Sequence, residues 1–233
     1  LEDIEMIEAI NQLKDKGGNK FDVNLVRSEF QKPIKLVNGS WNPDTKLKNK
    51  EVLLISSGPT VKEYKQEIEK YIVKKKPIVI ALNTFVKINK KLINYYLACN
   101  PLRIIADSNH YSKIKSPLIL PKSLLSKSLE KKFSKIKILN FGIGFRNNQF
   151  DFKKDSAILP KLYNVAYALS IATSGKASRI LLAGFDGYDQ IDNRNKIINE
   201  IFYAYKENKK SRPIVSITPT KYNFSTVSIY AFD

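Results

Sequence analysis

The stretch EVLLISSGPTVKEYKQEIEKYI, from Glu51 to Ile72, passes from an apolar run through a glycine turn into a charged segment. The run from Val52 to Ile55 is short and wholly apolar, which is typical of a strand buried on both faces. The charged segment that follows is interpreted as a helix. A strand that leads directly into a helix is the first half of a βαβ unit, so this stretch predicts a parallel sheet.

The turn within this stretch can close tightly between strand and helix. Ser57 offers a hydroxyl, and Gly58 has a backbone free to adopt positive φ. Pro59 presets φ for a first helical turn, and Thr60 can cap the helix. Such a turn directs unpaired N–H groups beyond the strand, which suits an anion such as phosphate. The same residues are typical of an ordinary strand-to-helix connection, and the turn alone does not decide between the two.

Apolar runs and helical segments alternate along the rest of the chain. The runs interpreted as strands are PIVIALN (77–83), YYLACN (95–100), PLRIIAD (101–107), SPLILP (116–121), KIKILNF (135–141), RILLAGFD (179–186) and RPIVSITP (212–219). Helices are predicted around 60–75, 122–133, 161–174 and 195–208, and NFGIGF (140–145) is interpreted as a two-glycine turn. This order predicts a Rossmann-like α/β domain over residues 51–233, with a mostly parallel sheet and helices on both faces.

Residues 1–50 are predicted to be an appendage of that domain. Residues 1–18 predict an amphipathic helix that ends at Gly17-Gly18, and residues 19–50 an arm with Trp41 as its anchor. The apolar side of the helix carries Ile4, Ile7, Ile10 and Leu13. Because the chain begins at Leu1 rather than Met, we interpret it as a fragment and expect this segment to link to an upstream domain.

The net charge of +18 comes mainly from lysine, since arginine occurs only six times. Arginine is the better bidentate reader of phosphates and base edges, and no predicted helix has a basic face interleaved with aromatic residues. We therefore interpret the charge as a solvated basic surface and expect no specific nucleic-acid partner. Such a surface is still compatible with weak attraction to acidic sugars, nucleotides or anionic membranes.

Several classes of protein are disfavoured by what the sequence lacks. No apolar run reaches the roughly 20 residues of a membrane helix, and no signal-peptide pattern is present, so we expect a cytoplasmic protein. A single cysteine, Cys99, excludes an intramolecular disulfide and a cysteine-rich metal site. No strand ends in an Asp-x-Asp pair that could hold Mg²⁺, and we expect no metal and no required cofactor.

Polar residues follow nearly every predicted strand. They are Ser57, Gly58, Pro59 and Thr60 after the first strand, then Asn83, Asn100, Asp107, Gly184, Asp186, Thr218 and Thr220. In parallel α/β sheets, ligands bind beyond the carboxyl ends of the strands. As a set, these residues predict a rim that binds a polar ligand, although Asn and Asp are also common in turns.

The motifs SSGPT, IALNTF and ATSGKASRILLAGFDGYD resemble, in this order, the bacterial sialyltransferases that elaborate lipo-oligosaccharide. The resemblance covers about residues 51–220. TSGKASRILLAGFDGY and SITPTKY are more similar to the carboxy-terminal domain fused to bacterial pyruvate-aldolase-like (HMG-CoA-lyase-like) proteins, which occur among surface-polysaccharide genes. An archaeal pterin pyrophosphokinase-like family has a comparable Gly-Pro-Ser turn, so the turn alone does not identify a reaction.

The sialyltransferase resemblance implies a sialyltransferase-like fold and a CMP-activated sugar as donor. It implies that Ser57, Gly58 and Thr60 lie against the nucleotide and that Asn83 contacts the donor. Gly184, Asp186 and Tyr188 match an element whose tyrosine stabilises the leaving phosphate, and Thr218 to Thr220 match a further nucleotide contact. A neutral tyrosine can stabilise developing phosphate charge without a metal.

The catalytic base is where the sequence departs from that family. The sialyltransferases carry a histidine between the tyrosine element and the last strand, but residues 189–212 contain none. The chain's one histidine, His110, follows Asp107 and is the candidate base, because histidine is the side chain that titrates near neutral pH. Without it the role would pass to Asp186 or Asp107, and Asp186 could equally cap a turn.

The function predicted from the sequence is transfer of a CMP-activated acidic sugar to a sugar acceptor in surface-polysaccharide synthesis. The covalently fused partner implied by the second resemblance is an aldolase-like domain. The alternative is a catalytically inactive domain that serves such an aldolase-like protein as a ligand-binding or assembly module. The missing histidine favours the module, and the polar rim favours the enzyme.

Overall fold

The computed structural model describes residues 35–189 and 191–232. The predicted helix over residues 1–18 and the first part of the predicted arm lie outside this range. The strands are β1 (Glu51–Ile55), β2 (Ile78–Leu82), β3 (Tyr95–Leu97), β4 (Leu118–Ile119), β5 (Ile138–Leu139), β6 (Gly142–Phe145), β7 (Asp151–Phe152), β8 (Ser156–Leu159), β9 (Arg179–Ala183), β10 (Ile214–Ser216) and β11 (Ser225–Thr226). The α-helices are α1 (Asp44–Leu47), α2 (Thr60–Glu63), α3 (Lys65–Lys75), α4 (Pro101–Ala106), α5 (Ser108–Tyr111), α6 (Lys127–Lys132), α7 (Asn164–Ser174) and α8 (Asn193–Lys206). Short 3₁₀ helices span Lys90–Leu92, Lys122–Leu124 and Ile229–Phe232.

Eight of the described strands form one sheet in the order β11-β10-β9-β1-β2-β3-β4-β5, and all neighbours in it are parallel. From β1 the chain moves outward in one direction to β5. It then returns to place β9 on the other side of β1, with Leu53 opposite Leu181. The strand order therefore reverses between β1 and β9, which makes their carboxyl ends the topological switch point of the sheet.

Helices cover both faces of the sheet. Side chains along a strand point alternately to its two faces, so Val52 and Leu54 of β1 pack in the core under α7 and α8, whereas Leu53 and Ile55 pack under α2 to α6. All four side chains are fully buried. The predicted α/β architecture, with a mostly parallel sheet between two helical layers, is confirmed.

A small three-stranded sheet was not predicted. Its order is β6-β8-β7, and an isolated bridge joins Val37 to Ile143 of β6. The interpretation of NFGIGF as a turn is wrong, because its glycines lie in a strand against residues 36–39. A Cβ on Gly142 would lie 2.0 Å from the Val37 carbonyl oxygen, so these glycines permit close backbone approach.

The segment PLRIIAD was predicted as a strand and is helix α4. Asn100 accepts a hydrogen bond of 3.1 Å from the Arg103 N–H at the helix N-terminus, and Pro101 occupies the first turn. These two start signals outweigh the apolar run, because proline fits a first helical turn and asparagine caps it. Asn100 and Asp107 therefore flank a helix and do not end strands.

The region before β1 packs on the domain from residue 35 onward. The Trp41 ring lies 6.1 Å from the Tyr95 ring, between centroids, and the Gly39 N–H donates to the Asp155 carbonyl over 3.2 Å. Among the described residues, no helix is both long enough and apolar enough to cross a bilayer.

Candidate functional site

The candidate site lies at the carboxyl ends of β9, β1 and β2, around the switch point. The turn after β1 and the turn after β9 are held together by backbone hydrogen bonds. The Ser56 N–H donates to the Ala183 carbonyl over 2.9 Å, and the Gly58 N–H donates to the Gly184 carbonyl over 3.1 Å. The exit of the first strand predicted from the sequence is thereby fixed to the exit of RILLAGFD, the seventh predicted strand.

Gly58 and Gly184 are required by this close approach of two chain segments. A Cβ on Gly58 would lie 2.4 Å from the Gly184 carbonyl oxygen and 2.6 Å from Asp186 Oδ1. Gly184 adopts φ +74°, and a Cβ there would lie 2.3 Å from Val61 Cγ2. The space beside Gly58 that was expected to admit a phosphate is filled by protein.

Asp186 caps helix α2. Its Oδ2 accepts a hydrogen bond of 2.9 Å from the Thr60 backbone N–H, and its Oδ1 accepts a shorter one from the Thr60 hydroxyl. The N–H that was expected to meet a ligand anion meets a carboxylate of the protein itself. A carboxylate at this position satisfies an unpaired donor and complements the helix dipole. The structure gives Asp186 a capping role, at the helix after β1 and not at the turn after β9.

The threonines after β10 are also engaged within the protein. The buried Thr218 hydroxyl accepts a hydrogen bond of 3.0 Å from the Gly184 N–H. The Thr220 hydroxyl donates to the Phe185 carbonyl over 2.5 Å and accepts from the Tyr222 N–H over 3.1 Å. Both hydroxyls tie the exit of β10 to the exit of β9.

Three of the predicted residues at the switch point present exposed side chains. Ser57 lies in the turn after β1, and Tyr188 lies in the loop after β9. The Arg194 guanidinium stacks on the Tyr188 ring, 4.2 Å from its centroid. A cation on the ring face positions the phenol, and the same guanidinium pairs with the Asp192 carboxylate over 2.6 Å. Pro59 is exposed next to Ser57.

At the exits of β2 and β3, the side-chain amide of Asn164 links the two strands. Asn83 belongs to this network, whereas Asn100, which was also predicted, does not. Asn164, at the start of α7, donates through its Nδ2 to Asn83 Oδ1 over 2.5 Å. Its Oδ1 accepts from the Cys99 N–H over 2.9 Å. Asn83 has φ +72°, a left-handed conformation that asparagine tolerates better than most residues. Asn164 was missed because it reads in the sequence as one polar residue at the start of an apolar helix.

His110 lies near the exit of β2. Its ring is 5.1 Å from the ring of Phe85, between centroids, and Phe85 follows Asn83 by two residues. His110 is exposed, and Asp107, three residues earlier, is buried. Burial raises the pKa of Asp107, while the positive charge of Arg103 and then that of His110 lower it.

Two residues close in the chain to His110 or to its ring partner Phe85 have buried polar atoms without a partner among the described residues. Thr84 Oγ1, next to Phe85, and Asp107 Oδ2 have no hydrogen-bond partner among the described residues. Native proteins satisfy most buried polar groups, so such atoms indicate a place for water or a ligand. In the sequence Thr84 appears only within the motif IALNTF, and it was not among the predicted site residues. What identifies Thr84 as a candidate is that its buried hydroxyl has no hydrogen-bond partner among the described residues, and the sequence does not show this.

The structure therefore brings the predicted residues together in two adjoining groups. Ser57, Gly58, Pro59, Thr60, Gly184, Asp186, Tyr188, Thr218 and Thr220 surround the exits of β1, β9 and β10. Asn83, with Asn164 and His110, surrounds the exit of β2, the strand next to β1. Asn100 is used as a helix cap. Among the described residues, no group of three or more His, Cys, Asp and Glu side chains could hold a metal ion.

No protein-family model matches the chain, and no curated protein sequence matches it. Its fold is similar to the solved structure of the MAf glycosyltransferase from Magnetospirillum magneticum AMB-1, with a TM-score of 0.57 and 9% sequence identity. The similarity covers 85% of this chain and 36% of that chain, so this chain spans only about a third of its structural neighbour. At this identity the likeness shows a fold shared with a glycosyltransferase. The resemblances to sialyltransferases and to aldolase-fused domains stay predictions.

Proposed function

We propose that this domain binds a nucleotide sugar at the carboxyl ends of β9, β1 and β2 and transfers the sugar, with a CMP-activated acidic sugar as donor. The observation that carries the proposal is the switch point between β1 and β9, with exposed Ser57 and Tyr188 around it and His110 near the next exit. Ligands of parallel α/β sheets bind at such a point. The fold shared with a glycosyltransferase supports the reaction class.

In this proposal the donor is held mainly by groups that have no hydrogen-bond partner among the described residues. Ser57 and the hydroxyl of Thr84 donate hydrogen bonds to the nucleotide, beside the amide network of Asn83. Tyr188 donates to the leaving phosphate, and Arg194, which pairs with Asp192 over 2.6 Å, stacks on its ring and holds it in place. A preorganised donor at the position where charge develops lowers the barrier directly. Gly58, Pro59, Thr60, Gly184, Thr218 and Thr220 form the scaffold behind these groups.

His110 is the proposed general base. The acceptor hydroxyl gives its proton to the His110 imidazole while its oxygen bonds to the anomeric carbon of the donor. The bond from that carbon to the phosphate oxygen breaks, and CMP leaves with the electron pair. Asp186 suits the role of base less well, because both of its carboxylate oxygens accept hydrogen bonds from Thr60. Asp107 lies three residues away, and the positive charge of His110 lowers the pKa of its carboxyl.

The test begins with calorimetric titration of CMP, CDP, UDP, ADP and GDP, followed by transfer assays with the CMP-sugar. We expect His110→Ala to reduce turnover roughly 10²–10⁴-fold with little change in donor affinity, since a general base contributes about that much. Tyr188→Phe should slow turnover and weaken CMP binding by about 1 kcal/mol, the contribution of one hydrogen bond. Asn109→Ala, an exposed neighbour of His110, is the matched control and should change neither quantity. Failure of all five nucleotides to bind would overturn the proposal.

A second candidate function is a ligand-binding or assembly module without catalysis, serving a fused aldolase-like domain. The observation that favours it is the saturation of Asp186, Thr218 and Thr220 by hydrogen bonds within the protein. Nucleotide binding without transfer, unaffected by His110→Ala, would support this module. The sugar acceptor, the role in surface-polysaccharide synthesis, the cytoplasmic location and the absence of a specific nucleic-acid partner stay predictions.

A further inference from the structure

A second concave region, which we term the amino-edge cleft, lies away from the candidate site. It has a volume of about 640 Å³ and is lined by four segments of chain. Residues 42–44 precede β1, residues 173–176 precede β9 and residues 209–212 precede β10, while residues 152–154 join β7 to β8. Because the sheet is parallel, segments that lead into strands meet at the amino ends, opposite the candidate site.

The amino-edge cleft is strongly basic. Its cationic side chains are Lys153, Lys154, Lys176, Lys209, Lys210 and Arg212, and among the described residues that line it Asp44 supplies the one carboxylate. Asp44 pairs with Lys176 over 2.8 Å, and Lys153 pairs with Asp151 over 2.9 Å. The other four cations form no ion pair with any described residue. Such an excess of positive charge in a concave region attracts anions.

Two buried donors in the amino-edge cleft have no partner. Ser174 Oγ and Arg212 Nε are buried and form no hydrogen bond among the described residues. Both residues line the cavity. A buried donor without an acceptor is costly, and an oxyanion supplies acceptors for both. These atoms distinguish the amino-edge cleft from a merely solvated lysine surface.

The electrostatic environment of Asp44 also indicates that the amino-edge cleft attracts anions. The hydrogen bond from Lys176 is the main cause that lowers the pKa of Asp44, and the charges of Lys48 and Lys154 lower it further. Lys154 therefore lies close enough to stabilise a negative charge in the amino-edge cleft. A ligand anion there would experience the same field.

We propose that the amino-edge cleft is a binding site for a phosphate-bearing anion, separate from the nucleotide-sugar site. Phosphate oxygens accept hydrogen bonds from Arg212 Nε and Ser174 Oγ, and the unpaired Lys154, Lys209 and Lys210 neutralise the remaining charge. The volume lies within the range of small-molecule sites and exceeds what a single phosphate fills. The ligand is therefore a diphosphate or a phosphorylated head group, either free or carried by a lipid.

The experiment compares two double variants of equal charge in titrations with inorganic pyrophosphate at about 0.15 M salt. Lys154→Gln with Lys210→Gln removes two cations of the amino-edge cleft. Lys62→Gln with Lys70→Gln removes two exposed lysines of α2 and α3 and is the control. We expect saturable binding by the parent, at least a tenfold higher Kd for the cleft variant and less than about a threefold change for the control, since distant charges are screened.

A neutral variant and a vesicle assay complete the design. Ser174→Ala keeps every charge and should raise the Kd about fivefold, as expected for one lost hydrogen bond. Co-sedimentation with phosphatidylglycerol vesicles, against phosphatidylcholine alone, distinguishes the source. Binding to these vesicles that the cleft variant loses identifies a lipid head group, and pyrophosphate binding without vesicle binding identifies a free ligand. Binding to neither probe, or an equal loss in both double variants, would overturn the proposal whatever the nucleotide titrations show.

Discussion

The polar residues at the two edges of the sheet differ in how far they are hydrogen-bonded within the protein. At the carboxyl edge the side chains after β1, β9 and β10 mostly satisfy one another, as in the pairing of Asp186 with Thr60 and of Thr218 with Gly184. At the amino edge, lysines from separate loops converge with few acidic partners, and Ser174 and Arg212 have buried donors without a partner among the described residues.

The difference shows that polarity at a strand exit is weak evidence for a ligand, whereas a polar group without a partner is stronger evidence. Asp186 matches the sequence pattern of a site and serves as a cap. Thr84 Oγ1, after β2, and Asp107 Oδ2, three residues before His110, are two of the buried groups without a partner among the described residues, and Thr84 lies at the exit of β2. The anion-site proposal rests on such groups, and the nucleotide-sugar proposal uses one of them, Thr84, next to the switch point that carries it.

Gly58→Val should have the largest effect of the substitutions that test this comparison. Its Cβ would lie 2.4 Å from a backbone carbonyl that cannot move without separating β1 from β9. We expect a loss of about 3 kcal/mol in the free energy of unfolding, the upper end of overpacking costs. Urea denaturation measures it, with Ser57→Val as the control, because Ser57 is exposed and should change stability by less than about 0.5 kcal/mol. An unchanged midpoint for Gly58→Val would mean that open space, available to a ligand, lies beside the glycine.

Asp186→Ala should have the next largest effect. It leaves the Thr60 N–H and hydroxyl without their acceptor, and loss of a cap costs about 1–2 kcal/mol. Asp186→Asn keeps one acceptor oxygen and should cost less. Asp189→Ala is the control, because Asp189 is exposed and pairs with Lys221 only over 3.4 Å. If Asp186→Ala kept full stability but lost nucleotide binding, the carboxylate would belong to the ligand site and the contrast between the edges would weaken.

The sequence was sufficient for the architecture because hydrophobic periodicity and order of elements report directly on buried strands and covering helices. The run from Val52 to Ile55 and the run from Ile180 to Ala183 became neighbouring central strands, as their wholly apolar character suggests. Short helices and strands were harder to predict from the sequence. PLRIIAD is apolar enough for a strand, and only its start signals, Asn100 and Pro101, identify the helix.

The candidate sites could be predicted only in part, because hydrogen-bond partners are set by tertiary structure. Nothing near Asp186 in the sequence indicates that Thr60, 126 positions away, will take both of its oxygens. The cations of the amino-edge cleft are likewise spread over three separate segments between residues 153 and 212, so no local run of charge indicates a cleft. The net charge was visible in the sequence, and its concentration in one place was not.

Asp44→Asn tests the amino edge with the smallest expected change in stability. The pKa of Asp44 is lowered in the folded protein, chiefly by its hydrogen bond from Lys176, so the ionised carboxylate favours folding above the ordinary aspartate pKa of about 3.9. That contribution disappears as the pH falls through the lower, folded-state value. The parent should therefore melt at a slightly higher temperature than Asp44→Asn at pH 7. The difference should shrink below the ordinary aspartate pKa and vanish once the pH lies below the lower, folded-state value. The same substitution removes the negative charge that competes with a ligand and frees Lys176, so it should tighten pyrophosphate binding about two- to threefold at pH 7. Asp189→Asn, at the other edge, should leave that affinity unchanged. Weaker pyrophosphate binding by Asp44→Asn would mean that Asp44 orients Lys176 for the ligand, which would make the pair part of the anion site and not its competitor.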